Sequence, residues 1–174
     1  MAPRIDAGSS GTQLMHATSI AVGRRAGLFI GPPGSGKSDL ALRCLTTPGS
    51  LLLPQAASLI ADDQTAVRLT DGRLEAFAPE TIRNKLEVRG IGLFTVPACD
   101  GAEVFVVFDL EPGPIERLPA MPQRVLTILG CDIPVIRLAA FEASAPAKVL
   151  MAFTHPTCTD SNQAAGQARG GVVL

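Results

Sequence analysis

The segment Gly31-Pro-Pro-Gly-Ser-Gly36-Lys37-Ser38 decides which fold the chain can adopt. It has the spacing G-x-x-x-x-G-K-S of a Walker A loop, which needs a strand before it and a helix after it. The apolar run Ala26–Ile30 precedes the loop and predicts a strand, and the pattern of Ser38–Leu45 predicts a helix. The sequence therefore predicts an α/β domain with a loop that binds the phosphates of a nucleotide.

The residue types in this loop suit phosphate binding. Backbone N–H groups from Gly34 to Ser38 can converge on phosphate oxygens at the positive end of the helix, and glycines leave room for that approach. Lys37 can reach the β- and γ-phosphates, and the Ser38 hydroxyl can bind Mg²⁺. Because proline has no N–H, Pro32 and Pro33 stiffen the early loop, where fewer donors are needed. The predicted phosphate-binding residues are Gly31, Pro32, Pro33, Gly34, Ser35, Gly36, Lys37 and Ser38.

The composition indicates one globular domain and argues against several classes of function. Of the 174 residues, 47% are hydrophobic and 18% are charged, which allows a sizeable core. The net charge of -1 and the absence of Trp and Tyr argue against nucleic-acid binding. No apolar run has the length of a membrane span, and the first fifteen residues lack the apolar middle of a signal peptide. The four cysteines are widely spaced, which is typical of reduced thiols in a cytoplasmic protein.

The hydrophobic pattern predicts one domain over residues 14–153, between a flexible N-terminus of residues 1–13 and a flexible tail of residues 154–174. A hairpin is expected around Gly23 to Arg25, and another around Asp71-Gly72. The predicted strands are Ser19–Val22, Ala26–Ile30, Ser58–Ala61, Thr65–Leu69, Arg73–Phe77, Ile91–Val96 and Val104–Phe108, the last two buried. The predicted helices are Ser38–Leu45, Pro79–Lys85 and Ala145–Phe153.

Two carboxylates, Asp62 and Asp63, follow the predicted strand Ser58–Ala61. Ligands of parallel sheets bind beyond the carboxyl ends of the strands, so this acidic end is expected to meet the phosphate loop. A carboxylate there can hold Mg²⁺ or take the proton from an attacking hydroxyl. Adjacent residues of an extended chain point in opposite directions, and the spacing does not say which of the two faces the γ-phosphate.

Four further residues carry weaker signals. Glu87 and Arg89 share a face if the chain is extended. Either Glu87 binds a metal and Arg89 binds phosphate or a carboxylate, or the two form a surface salt bridge. His16 precedes the first strand, where a single histidine is more often structural than catalytic. Arg117, taken alone, is typical of a solvated charge.

Taken in order, four motifs resemble the catalytic domain of the HPr kinase/phosphorylase family. They are His16, fifteen residues before Gly31; the Walker A loop; Leu59-Ile-Ala-Asp-Asp63; and Leu86-Glu-Val-Arg-Gly-Ile-Gly92, which is similar to the family signature. The resemblance runs from about His16 to Arg137. It implies a P-loop domain of the phosphoenolpyruvate carboxykinase-like type, with a mixed sheet and flanking helices. It also implies a kinase that uses ATP and Mg²⁺ to phosphorylate a serine of HPr, the phosphocarrier of the phosphotransferase system, and that in many members reverses this reaction.

The same resemblance implies a role for each candidate residue. Asp63 would accept the proton in phosphorylation and donate it in the reverse step, with His16 beside it to tune its protonation. Lys37 would act on the phosphates, and Ser38 and Glu87 would hold Mg²⁺. Arg117 would match a family arginine near the phosphate. Asp62 and Arg89 remain further site candidates on their position in the sequence, and the resemblance gives them no separate role.

Three departures from the family favour the kinase reaction over its reversal. Ala57 stands where the family has a histidine, the glycine-rich stretch is shortened to Pro97-Ala-Cys-Asp-Gly101, and the segment linked to dephosphorylation is Pro134-Val-Ile-Arg137-Leu-Ala. The resemblance is to the short form of alphaproteobacteria, which lacks the usual N-terminal domain and serves a regulatory phosphorelay. Longer members are hexamers, so a homo-oligomer is an open expectation.

Two other functions fit a Walker A loop. A small-molecule P-loop kinase usually carries a substrate lid or an added basic site, and neither is evident in the sequence. A nucleotide-sensing module without catalysis would be marked by altered catalytic residues, whereas the candidate set is present.

Overall fold

The strand that leads into the phosphate loop, β3, spans Arg25–Ile30, and the helix α1 spans Lys37–Thr46 directly after the loop. The structure, a computed structural model, describes residues 11–118 and 122–154. A second helix, α2, spans Ala145–Thr154. The other strands are β1 (Thr12–Met15), β2 (Thr18–Val22), β4 (Ala57–Ala61), β5 (Thr65–Thr70), β6 (Arg73–Phe77), β7 (Lys85–Val88), β8 (Gly92–Thr95), β9 (Ala102–Asp109), β10 (Val125–Ile128) and β11 (Cys131–Arg137).

Nine of these strands form one mixed sheet, in which seven follow the order β1-β5-β6-β9-β3-β2-β4. Strand β11 pairs with the end of β9 and carries β10 on its other side. Strand β3 is parallel to β9, β9 is parallel to β11, and both β3 and β4 are antiparallel to β2. The carboxyl ends of β3, β4, β9 and β11 therefore lie at one edge of the sheet, together with the start of β2.

The sheet buries apolar side chains on both faces, as alternation along its central strands requires. On one face Phe29 and Phe108, with ring centroids 5.5 Å apart, pack with residues of α1 and α2. On the other face Leu28 and Val107 pack in a second cluster that includes Val67 of β5, so the sheet also packs against its own curled edge. This double burial fixes β3 and β9, which hold the phosphate loop. Neither helix in the described ranges is long and apolar enough to cross a membrane.

Both predicted hairpins are confirmed. Strands β2 and β3 pair around Gly23, which has φ +61°, and β5 and β6 pair around Asp71 and Gly72, which have φ +49° and +76°. Two consecutive residues with positive φ form the type I′ turn, which an Asp-Gly pair favours. The helices around Ser38–Leu45 and Ala145–Phe153 are also present, each slightly longer than predicted.

Two local predictions differ from the structure. The helix predicted at Pro79–Lys85 is wrong: only Glu80–Ile82 form a 3-10 turn, because the chain from Lys85 enters β7. The buried strand predicted at Ile91–Val96 is also wrong in its burial. This segment forms β8, which pairs with β7 in a separate two-stranded hairpin and is exposed throughout.

The ordered part begins earlier than the predicted boundary at residue 14. Thr12 and Gln13 lie in β1, which pairs with β5. The rest of the predicted flexible N-terminus, residues 1–10, and the tail of residues 155–174 lie outside the described residues.

Candidate active site

The predicted phosphate-binding residues form the turn between β3 and α1. Gly36 precedes the helix in the left-handed region, with φ +93°, and Gly34 has φ +80°. Residues with a Cβ adopt such values at a cost, so both glycines are required by the backbone. The Lys37 ammonium donates hydrogen bonds to the carbonyl oxygens of Gly31 at 2.9 Å and Pro32 at 3.1 Å. It therefore clamps the start of the loop to its end.

The Lys37 side chain lies in a partly desolvated place close to the acidic pair. The residue is only 7% exposed. Burial lowers the pKa of its ammonium from the usual value, and the charges of Asp63 and Asp62 oppose this shift. The lysine of the loop and the two carboxylates are thus electrostatic neighbours, as the shared edge of the sheet predicted.

Asp62 is the hub of this edge. It is 8% exposed, and its Oδ1 accepts hydrogen bonds from the Ser38 hydroxyl at 2.7 Å and the Thr18 hydroxyl at 2.9 Å. Its Oδ2 accepts the backbone N–H of Glu87 at 3.1 Å. One carboxylate therefore joins α1, β2 and β7, and it holds the loop serine in place.

Asp63 has the opposite surroundings. Its side chain is 69% exposed, and its Oδ1 lies 3.3 Å from Nδ1 of His16. The backbone turns sharply here: Asp63 has φ +63°, and the N–H of Gln64 donates to the carbonyl oxygen of Asp62 at 2.7 Å. The turn directs one carboxylate into the protein and presents the other to solvent beside the histidine.

The hairpin of β7 and β8 carries Glu87 and Arg89. Glu87 is exposed. Its backbone N–H binds the Asp62 carboxylate, and this bond places Glu87 next to Asp62. Arg89 lies in the turn after β7, which ends at Val88, so the expected shared strand face of Glu87 and Arg89 is absent. No ion pair joins them in the described residues.

Arg117 lies elsewhere along the chain, in the exposed segment that follows β9. Within residues 11–118 and 122–154 it makes no hydrogen bond or ion pair. Arg137, from the segment compared with the family's dephosphorylation motif, ends β11, and its Nε lies 3.9 Å from Oδ2 of Asp109. Arg124 contacts the same oxygen at 3.0 Å.

The oxygen atoms at the loop fit a magnesium ion. The Ser38 hydroxyl and the Asp62 carboxylate are hard ligands 2.7 Å apart, and Glu87 lies next to them because its own backbone N–H binds Asp62. In the described part of the chain no three acidic, histidine or cysteine side chains cluster as a complete metal cage. The Ser38 and Asp62 oxygens suit Mg²⁺, which commonly uses one or two protein oxygens and completes its shell with phosphate oxygens and water.

Sequence reasoning missed Thr18 and Asp109. Thr18 is fully buried at the start of β2 and bonds Asp62, and its hydroxyl also accepts the N–H of Asp63 at 3.4 Å. Asp109 is 3% exposed at the end of β9, beside the end of β3. The available signal was a polar residue next to an apolar run, before it for Thr18 and after it for Asp109.

The loop, the mixed sheet and the edge that carries the acidic pair define a P-loop domain of the phosphoenolpyruvate carboxykinase-like type. A solved structure of the HPr(Ser) kinase/phosphatase from Coxiella burnetii superposes on 91% of this chain and 99% of its own, with a TM-score of 0.72 and 18% sequence identity. The predicted fold class is therefore confirmed.

Within this class the chain is a homologue of the HPr kinase/phosphorylases. The protein of that name from Exiguobacterium sibiricum is 31% identical over 139 residues, which cover 73% of this chain and 42% of the relative. Those from Cupriavidus necator and Brevibacillus brevis are 30% and 31% identical over 71% and 63% of this chain, and over 39% and 36% of the relatives. The chain thus spans about two fifths of the length of these relatives. No family model matches it.

Proposed function

We propose that the protein is a cytoplasmic serine kinase that transfers the γ-phosphoryl group of ATP to a serine hydroxyl of the phosphocarrier protein HPr. The observation that carries the proposal is the placement of the exposed Asp63 carboxylate at the same sheet edge as the phosphate loop, with His16 3.3 Å away. A carboxylate open to solvent is accessible to a hydroxyl of a second protein. Relatives that are 31% identical to this chain over most of its length carry the name HPr kinase/phosphorylase.

The side chains divide the work of transfer. The loop N–H groups and Lys37 hold the phosphates, and Asp63 accepts the proton of the serine hydroxyl while His16 orients its carboxylate. Mg²⁺ would be held by Ser38 with Asp62 or Glu87, and it would offset negative charge on the phosphates. Phosphoryl transfer asks little of the base, so a carboxylate suffices.

The hairpin beside the acidic pair supports a protein substrate over a small molecule. Ile91, Leu93 and Phe94 are exposed by 74%, 63% and 44%, and the hairpin is tied to the site by the bond between Glu87 and Asp62. Exposed apolar side chains grouped next to a site are typical of protein contacts.

The test is transfer of label from γ-labelled ATP with Mg²⁺ to HPr, beside an HPr whose acceptor serine is replaced by alanine. Label on the wild-type carrier only is the expected result. ATP binding without label on HPr would overturn the proposal and favour a metabolite kinase or a nucleotide-sensing module. Incubation of the phosphorylated carrier with inorganic phosphate, with release of label as the readout, tests the reverse reaction separately.

A further inference from the structure

A cavity of about 520 Å³ lies beside the phosphate loop, and apart from the loop itself its lining has no role in the site described above. Three segments line it: residues 32–35 of the loop, residues 110–113 after β9 and residues 138–142 after β11. Its lining is rich in apolar groups, among them Leu110, Leu138 and Phe141. A concave, largely apolar pocket with few polar groups is the usual form of a small-molecule subsite.

The order of strands places this cavity on the far side of the loop from the acidic pair. In the sheet, β3 has β9 on one side and β2, followed by β4, on the other. The residues Thr18, Asp62 and Asp63 belong to the β2 and β4 side, and the cavity segments belong to the β9 and β11 side. A chain of phosphates laid along the loop with its γ end at Asp63 therefore has its other end at the cavity.

Phe141 is the aromatic wall of the cavity. Its side chain is 73% exposed, yet its ring edge lies 3.0 Å from the position that a Cβ on Gly36 would occupy, so the ring borders the loop itself. Because the ring is exposed and borders the loop, a ligand bound at the loop can contact it. Among the described phenylalanines, the next most exposed is Phe94, at 44%, on the hairpin of β7 and β8.

The walls of the cavity are fixed to the core. The N–H of Leu110 donates to the carbonyl oxygen of Ile30 at 2.9 Å, and the N–H of Leu138 donates to that of Asp109 at 3.0 Å. Arg43 of α1 donates to the carbonyl oxygens of Ala140 and Glu142, which flank Phe141. The cavity is thus built in advance, and a ligand does not have to order it.

We propose that this cavity binds the base of the donor nucleotide, stacked on the ring of Phe141. The inference rests on the proposed function, because it takes the γ end of the phosphate chain to lie at Asp63. It adds a determinant of nucleotide binding that touches neither the phosphates nor the acidic pair. Stacking on an aromatic ring accepts any base with a π face, so Phe141 contributes affinity and the cavity walls set the fit.

The test measures the binding of MgATP and of magnesium tripolyphosphate to the whole chain by calorimetry. Tripolyphosphate has the phosphates of ATP without its base. Phe141→Ala is expected to weaken MgATP binding about tenfold, within the range of base–aromatic stacking, and to leave tripolyphosphate binding unchanged. Phe141→Trp is expected to restore MgATP binding, and Phe94→Ala is the matched control with no effect on either ligand.

A second variant keeps the test independent of any structural role of Phe141. Ala139→Trp fills the cavity with an indole, and it is expected to weaken MgATP binding selectively as well. The inference is overturned if both variants bind MgATP as the wild type does, or if both lose MgATP and tripolyphosphate equally. A wild-type chain that binds neither ligand would overturn the proposed function itself, and the inference with it.

Discussion

Asp62 and Asp63 are neighbours in the chain, but their carboxylates have opposite environments. Asp62 is 8% exposed and accepts three hydrogen bonds, whereas the side chain of Asp63 is 69% exposed and faces His16. The left-handed backbone of Asp63 separates them. Substitution of the two residues should therefore affect different properties.

Asp63→Asn is expected to remove phosphoryl transfer to HPr while the fold stays intact. Asparagine tolerates the left-handed backbone as aspartate does, so the change removes the charge and little else. A loss of proton transfer lowers the rate by about 10²–10⁴-fold. The free energy of unfolding should change by less than about 0.5 kcal/mol, as for other exposed positions. Labelled transfer and urea unfolding measure the two effects.

The matched control for this change is Asp71→Asn. Asp71 also has positive φ, at +49°, and it lies in the exposed hairpin turn between β5 and β6. It should transfer phosphate as the wild type does. A wild-type transfer rate in Asp63→Asn would remove Asp63 from the mechanism.

Asp62→Asn is expected to destabilise the fold by about 2 kcal/mol, because it breaks a buried network. An amide has one oxygen and one NH₂ group. If the oxygen accepts the hydroxyls of Ser38 and Thr18, the NH₂ group meets the N–H of Glu87, and two donors face each other. Urea unfolding gives the magnitude, and hydrogen exchange at the amide of Glu87 should speed up. Unchanged stability and exchange would contradict the hub role.

Lys37→Ala is expected to weaken ATP binding at least tenfold and to abolish transfer. The ammonium is 7% exposed and bonds the carbonyl oxygens at the start of the loop, so its loss removes both a charge and the loop clamp. Calorimetric titration with MgATP measures the affinity. Lys85→Ala, which removes an exposed ammonium from β7, should bind MgATP as the wild type does. Equal affinities for MgATP in the wild type, Lys37→Ala and Lys85→Ala would contradict the role of Lys37 in ATP binding.

Cys44 gives a prediction about alkaline stability. Burial raises the pKa of its thiol from 9.0 to about 12. In the unfolded chain the thiol ionises above pH 9, and in the folded chain it stays protonated, so stability falls as the pH rises from about 9 to about 12. At about pH 10 this costs the wild type roughly 1 kcal/mol relative to neutral pH.

The check is urea unfolding of the wild type and Cys44→Ala at about pH 7.5 and pH 10. The variant starts from lower stability because of the cavity that it leaves, but it should lose about 1 kcal/mol less on the change of pH. Cys131→Ala, at a partly exposed position, controls for general effects. Identical pH dependence in the wild type and Cys44→Ala would contradict the burial of this thiol.

The phosphate loop could be predicted from the sequence because its determinants are local. Gly34 and Gly36 supply the unusual backbone, and the strand and helix on either side have clear patterns. The Asp71-Gly72 hairpin is local in the same sense. The site residues near the loop were brought together as the shared edge of parallel strands predicted.

What the sequence did not predict depends on long-range contacts. The difference between Asp62 and Asp63 is set by Thr18 and by the backbone of Glu87, which are far apart in the chain. Strand β1 has only four residues and begins with two polar ones, and β11 contains a proline, so neither has the pattern of a strand. The apolar residues of β8 predict burial, but they lie on an exposed hairpin.

During synthesis of the protein, strand β3 has to wait for β9 before the centre of the sheet can form. Strand β9 lies between β3 and β6 and also pairs with β11, although β3 is made more than seventy residues earlier. A nascent chain that stops before Ala102 leaves the edges of β3 and β6 without their partner, and such unpaired edges attract other chains. The phosphate loop therefore leaves the ribosome early, whereas β9, the strand that supports it, completes its pairing only after β11 has been synthesised.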